Sequence, residues 1–315
     1  MTFVARGLLV SLAFFAVLYS VLSVAIALAW RVAEWWSRDR RESSFLRSAN
    51  VLFGLRIFSF VSSAVVTVFF TFPSFWEMER HSLDEDGGTF LLAACAVLIV
   101  GAGLFRVLRD QSRTTRALRE WLLRTWSAES APVKPALGAA NGAPALVLVG
   151  VFRPRVMFSD AAARVLSEEE LQAGIRHELG HRRSWDNLKK VLISATPFPA
   201  VSGLEKAWRE AAELAADDAA VGNHQEALDL AAALIKLSRS SKMTAEPALA
   251  SGLVCATSAV KLRVERLLHW QGAGRRLRRT WPWILLLFVC AGVAIATHYD
   301  ATLALTHRLT ELLVP

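Results

Sequence analysis

Cysteine is nearly missing from this chain. The three present in 315 residues, Cys95, Cys255 and Cys290, include no CxxC pair and no disulfide framework. That excludes a stapled secreted scaffold and a thiolate metal site. Charge is scarce too: 20% of residues are charged against 54% hydrophobic, with a mean hydropathy of +0.35. An ordinary soluble enzyme is more polar, and a protein wholly inside lipid carries fewer charges. A membrane protein with one water-facing domain satisfies both figures. No internal repeat is present. The net charge of +8 invites nucleic-acid binding, but the basic residues cluster beside apolar spans, so no direct nucleic-acid contact is expected.

Four stretches are long and apolar enough to cross a bilayer: 7–30, 51–73, 89–107 and 281–297. Ala27-Leu28-Ala29 resembles a signal-cleavage site. The apolar stretch before it is too long for a signal peptide and only Arg6 precedes it, so the span is expected to be retained. Arg56, near the start of the second span, is expected to snorkel to the headgroups. Arg31, Arg38, Arg40, Arg41 and Arg47 fill the first loop, whereas 74–88 holds only Arg80 among Glu77, Glu79, Asp84, Glu85 and Asp86. Arginines also crowd 106–124 and 275–279. The positive-inside rule then places 31–50 and 108–280 in the cytoplasm and both termini outside. Trp30, Trp35, Trp36, Trp76, Trp281 and Trp283 sit at span ends, as an interfacial belt requires. The expected organisation is a membrane region, 1–107, with three spans; a cytoplasmic domain, 108–280; the fourth span, 281–297; and a short external tail, 298–315.

Within the domain, 106–126 continues the third span as a basic helix, and the Ala/Pro/Gly-rich 128–144 reads as a linker. Short apolar runs at 145–149 and 155–158 flank Gly150 and Pro154, which predicts a β-hairpin, either strand of which could hold an extended substrate at a sheet edge. Ser159 caps a short helix. Ser167 and Glu170 form a capping box for the next, with Leu166 and Leu171 placed for a hydrophobic staple. That helix carries His177-Glu178-Leu179-Gly180-His181. Two histidines four apart project together and can grip one zinc ion, while Glu178 between them is free to act as a base. A third ligand from another helix leaves the fourth metal position open for water, as hydrolysis requires. A second helix over about 204–221 puts Glu210, Glu213 and Asp217 on one face, among alanines that permit close approach. Glu213 is the expected third ligand and Asp217 the acceptor that orients a ligating histidine. Glu210 is the alternative ligand. One zinc per chain is expected.

The run Arg155-Val156-Met157-Phe158-Ser159, then Leu166–Leu171, His177–His181 and Asp186-Asn187-Leu188, resembles gluzincin membrane peptidases. With Gly150–Pro154 before it and Leu262–Leu268 after it, the chain is similar to the BlaR/MecR family of antirepressor metallopeptidases. The resemblance implies a mainly α protein: four membrane helices, with a cytoplasmic zincin-like α+β peptidase domain between spans three and four. It also implies a bacterial inner membrane location and cleavage of a cytoplasmic regulatory protein, repressor-like, in a signalling response. Two departures matter. Only 298–315 follows the fourth span, so the family's penicillin-binding sensor is expected to be absent. Residues 191–203 also lack its Trp-rich asparagine-proline pattern. The outer loops are too short for a ligand pocket, which leaves the signal to a membrane partner. Two other functions compete. A quality-control or CAAX-type zinc peptidase shares the motif but commonly places spans between its two halves, and 191–204 is too short to cross twice. A non-catalytic membrane scaffold would have no need of Glu178.

Overall fold

The computed structural model describes residues 3–37, 48–78, 87–126, 146–240, 251–252, 257–270 and 298–313. Among the described residues, three helices are long and apolar enough to cross a membrane. Helix α1 runs over Phe3–Ser37. Helix α2, Ala49–Val66, passes through a π turn at Thr67–Thr71 into α3, Phe72–Met78. Helix α4, Gly87–Trp126, carries the third apolar stretch and its basic continuation as one rod. The expected fourth span, 281–297, and the linker, 128–144, lie outside the described residues.

Small polar residues let the apolar rods approach: Ser23 Oγ donates to Ser59 Oγ at 3.0 Å, and Ser11, Ser63 and Thr71 are buried in the bundle. The π turn has a cause in Pro73. Lacking an N–H, Pro73 leaves the carbonyl of Phe69 without its helical donor. The hydroxyl of Tyr299 donates to that carbonyl at 3.2 Å. Tyr299 opens the last helix, α11, Tyr299–Leu313, which packs on α3, the π turn and α1 and buries Leu303, Thr306 and Thr310. The segment expected to be an external tail is a docked helix.

The remaining elements surround a three-stranded antiparallel sheet of order β2-β1-β3. Strand β1 is Leu146–Val149, β2 is Arg155–Phe158 and β3 is Ser251–Gly252. Strand β1 pairs with β2 from Leu146↔Phe158 to Val149↔Arg155, and with β3 at Val147↔Gly252. The expected hairpin is present, but β1 is paired on both sides, so of its two strands β2 is the one with an unpaired edge among the described residues. Ser159 caps α5, Asp160–Val165, by accepting from the Ala162 amide. Both halves of the Ser167/Glu170 capping box form at the start of α6, Glu168–Arg183; such a cap contributes about 1 kcal/mol. Then follow α7 (Asp186–Ala195), a 3-10 turn (Pro199–Val201), α8 (Ser202–Ala220), α9 (His224–Ser240) and α10 (Thr257–Leu268). Leu146, Leu166, Ala173, Leu230, Leu234, Leu237 and Leu267 form the core beneath α6, with Leu171 and Ile175 packed against it.

Spans and domain share a core. Leu52 of α2 is buried with Ile193, Leu204 and Trp208 of α7 and α8, and Ile26 and Trp30 of α1 pack against them. Arg56 departs from its sequence expectation. It is fully buried and does not snorkel, because Glu205 and the carbonyls that end α7 offer it partners inside the protein.

Candidate metal centre

Helix α6 turns one face inward, burying Ala173, Gly174, His177, Glu178, Gly180 and His181. Gly180 permits a close approach there: a Cβ on it would lie 3.2 Å from Cα of Ala216, a tight contact that α8 would have to yield to by a few tenths of an ångström. Through that contact α8 brings Glu213 over the two histidines. Nε2 of His177 and of His181 are 3.2 Å apart, and Glu213 oxygens lie 3.5 Å from the first and 3.6 Å from the second. Tetrahedral zinc, with bonds of about 2.0–2.2 Å, spaces neighbouring ligand atoms roughly 3.3–3.5 Å apart. The donor set and its spacing fit the ion, and these three residues form a group able to hold one.

Each imidazole is fixed from behind. Nδ1 of His177 lies 2.9 Å from Asp217 Oδ1, and Nδ1 of His181 lies 2.7 Å from Asp186 Oδ2. A carboxylate on Nδ1 keeps the proton there and turns the Nε2 lone pair toward the common point. Asp186 opens α7, and Lys189 lies 3.4 Å from its other oxygen. Trp185, at φ 57° in the left-handed region, makes the tight turn from α6 that folds Asp186 back onto His181. Asn187 ties this turn to the sheet, donating to the carbonyls of Leu148 at 3.1 Å and Gly150 at 2.8 Å.

Arg263 of α10 closes the far side. Its Nε and Nη2 fork onto Asp217 at 2.8 and 2.7 Å, and its Nη1 lies 2.9 Å from Glu213 Oε2. These pairings decide the protonation of the cluster. Burial raises the Glu213 carboxyl, but the hydrogen bonds from His177 and His181 and the Arg263 charge outweigh it and hold it well below the ordinary range. Burial likewise opposes charge on Asp217, and Arg263 and His177 bring it down. Burial opposes charge on His181 as well, yet Asp186, Glu213 and the nearby Glu178 carry it up to about 10. His177 is raised by Asp217 and Glu213 against the same penalty.

The structure therefore brings together His177, Glu178, His181, Glu213 and Asp217. Glu178 is fully buried beside the histidines. Glu210 is not brought in: its side chain is 55% exposed and pairs with Lys206. Sequence reasoning gave Asp186 and Arg263 no role of their own. Asp186 carried one signal, an acid just past the second histidine; Arg263, 46 residues from Asp217, carried none locally.

A model of the family described as BlaR1 peptidase M56 matches residues 89–267, more than half of the chain. No curated protein and no solved structure matches it.

Proposed function

The chain belongs to the BlaR1 peptidase M56 family, and from that premise we propose that it is a membrane-embedded, zinc-dependent endopeptidase. The observation that carries the reading is the convergence of two Nε2 atoms and the Glu213 carboxylate at zinc spacing, with a buried carboxylate behind each imidazole. His177, His181 and Glu213 would hold the ion. When bound, zinc polarises the scissile carbonyl and acidifies water at the open position. Glu178 takes the proton from the attacking water on a carboxylate oxygen and delivers it to the leaving amine. Asp217 and Asp186 keep the imidazoles in the ligating tautomer, and Arg263 balances Asp217 and Glu213. The edge of β2 that is unpaired among the described residues offers main-chain hydrogen bonds to an extended peptide.

The arginine-rich segments at 31–50 and 106–124 support a cytoplasmic position for the domain in a bacterial inner membrane, with both termini outside. The substrate on that side is a protein, and the family likeness favours a repressor-like regulator cleaved in a signalling response, with a membrane partner bringing the signal. A quality-control or CAAX-type peptidase fits less well. Between 182 and 212 lie the end of α6, α7, the 3-10 turn and the first half of α8, and no candidate span falls there among the described residues.

The test is metal content and proteolysis on detergent-purified wild type, Glu178→Gln and Glu213→Ala. One zinc per chain in wild type and Glu178→Gln, less in Glu213→Ala, and cleavage by wild type alone are expected. A folded wild type that binds no zinc would overturn the reading in favour of a scaffold.

A further inference from the structure

A charged side chain buried where a span meets a domain needs a reason, because its desolvation costs several kcal/mol unless every donor is met. Arg56 meets nearly all of its donors on one short stretch. Nε donates to Glu205 Oε1 at 2.9 Å, Nη1 to Thr196 Oγ1 at 3.1 Å, and Nη2 to the carbonyls of Thr196 and Ile193. The other spans grip the same stretch. Tyr19 of α1 donates to the carbonyls of Thr196 and Pro197, and Asp110 of α4 accepts from Ser194 at 2.6 Å. Gly103 of α4 lies so close that a Cβ on it would collide with the Ala195 carbonyl. Three spans thus hold one connection, 193–205, between α7 and α8.

That connection lies between the two halves of the metal centre. Upstream, α7 starts at Asp186, which holds His181. Downstream, Glu205 and Glu213 share α8, eight residues apart, about 12 Å along one helix. A helix transmits displacement along its axis, so moving Glu205 moves Glu213. Apolar packing of Leu52 against Trp208 already fastens domain to bundle. What the charged fork adds is direction: five donors in fixed geometry accept one arrangement of the connection.

We propose that Arg56 is a positioning residue of the metal centre: by gripping 193–205 and Glu205 it sets, from the membrane bundle, where Glu213 stands relative to His177 and His181. A rearrangement of the spans then changes metal affinity, and metal binding changes the grip. The inference rests on the metal-centre reading above.

The experiment uses the full chain in lipid nanodiscs, with zinc affinity measured against a chromophoric chelator and hydrogen exchange followed with and without zinc. In wild type, zinc is expected to slow exchange across 193–205, because coupling between two places is reciprocal. Glu205→Gln keeps an acceptor without the charge, and Arg56→Lys keeps the charge without the fork. Both are expected to weaken zinc binding about tenfold and to lessen the protection at 193–205. A mere anchor would leave exchange in 193–205 indifferent to zinc, and that result in a zinc-binding wild type overturns the inference, whether or not the variants fold. Folded variants with wild-type zinc affinity overturn it too. A wild type that binds no zinc overturns the metal centre itself, and the inference with it.

Discussion

The two carboxylates behind the histidines act through the imidazoles, and their removal has a defined cost. Asp186→Asn leaves His181 in place but allows the wrong tautomer, so zinc affinity is expected to fall about 10–100-fold, read by chelator competition. Glu210→Gln, on the solvent side of α8, should leave it unchanged. The pairings also set a pH dependence. Without an ion, His181 is held up to about 10, above its unfolded value of about 6.5. Its protonated form therefore stabilises the stripped protein fully below about pH 6.5, and that contribution is lost as pH rises toward 10. Zinc demands neutral imidazoles, so affinity runs the other way and falls on acidification. Loading at pH 7 should release about one to two protons per zinc, measurable by calorimetry in buffers of different ionisation enthalpy. Proton-neutral loading at that pH would mean that the histidines are already neutral.

Among the elements, α6 was the most legible because its signals are local: the Ser167/Glu170 box, the Leu171 and Ile175 contacts with the core, and a histidine pair at helical spacing lie within fifteen residues. Helix α8 was legible in extent, and Gly180 with the alanines foretold its approach to α6. Which acids it turned inward was harder. Glu210 and Glu213 are three residues apart, and the packing of α8 against α2 and α6 turns the second inward and leaves the first exposed. The fate of Asp186 depends on a left-handed Trp185, a conformation no bulky residue advertises. The partner of Arg56 lies 149 residues away, so isolation in an apolar stretch suggested snorkelling. Helix α4 also carries a requirement that spacing could not reveal. At Gly103 a Cβ would collide with the Ala195 carbonyl oxygen, so Gly103→Ala must part α4 from α7. A cost of about 1–3 kcal/mol is expected, seen as a lower Tm in detergent. Gly101→Ala, with nothing among the described residues within 4 Å, is its control and should not lower the Tm.

For the whole molecule, the sequence distinguishes apolar rods from a water-facing domain, since composition and arginine bias are sums over long segments. It does not disclose that the two share a core. Trp208 and Leu204 of α8 are buried by Leu52, with Phe53 and Trp30 packed around them, and Phe198 meets Tyr19 edge to face. The domain is therefore finished by the membrane helices rather than tethered to them. Residues 146–270 expressed alone would expose that apolar face and leave Glu205 without Arg56. The fragment is expected to associate or to bind a hydrophobic dye, and to hold zinc more weakly than the full chain, even though His177, His181, Glu213, Asp217 and Arg263 are all present in it. Sedimentation and chelator competition on the fragment and the intact protein decide the matter. A monomeric fragment with the full chain's zinc affinity would mean that the core beneath α6 suffices to build the centre. Weakened affinity in a soluble fragment would instead assign part of the centre's geometry to the bundle, where Tyr19, Arg56 and Asp110 hold the connection between its halves.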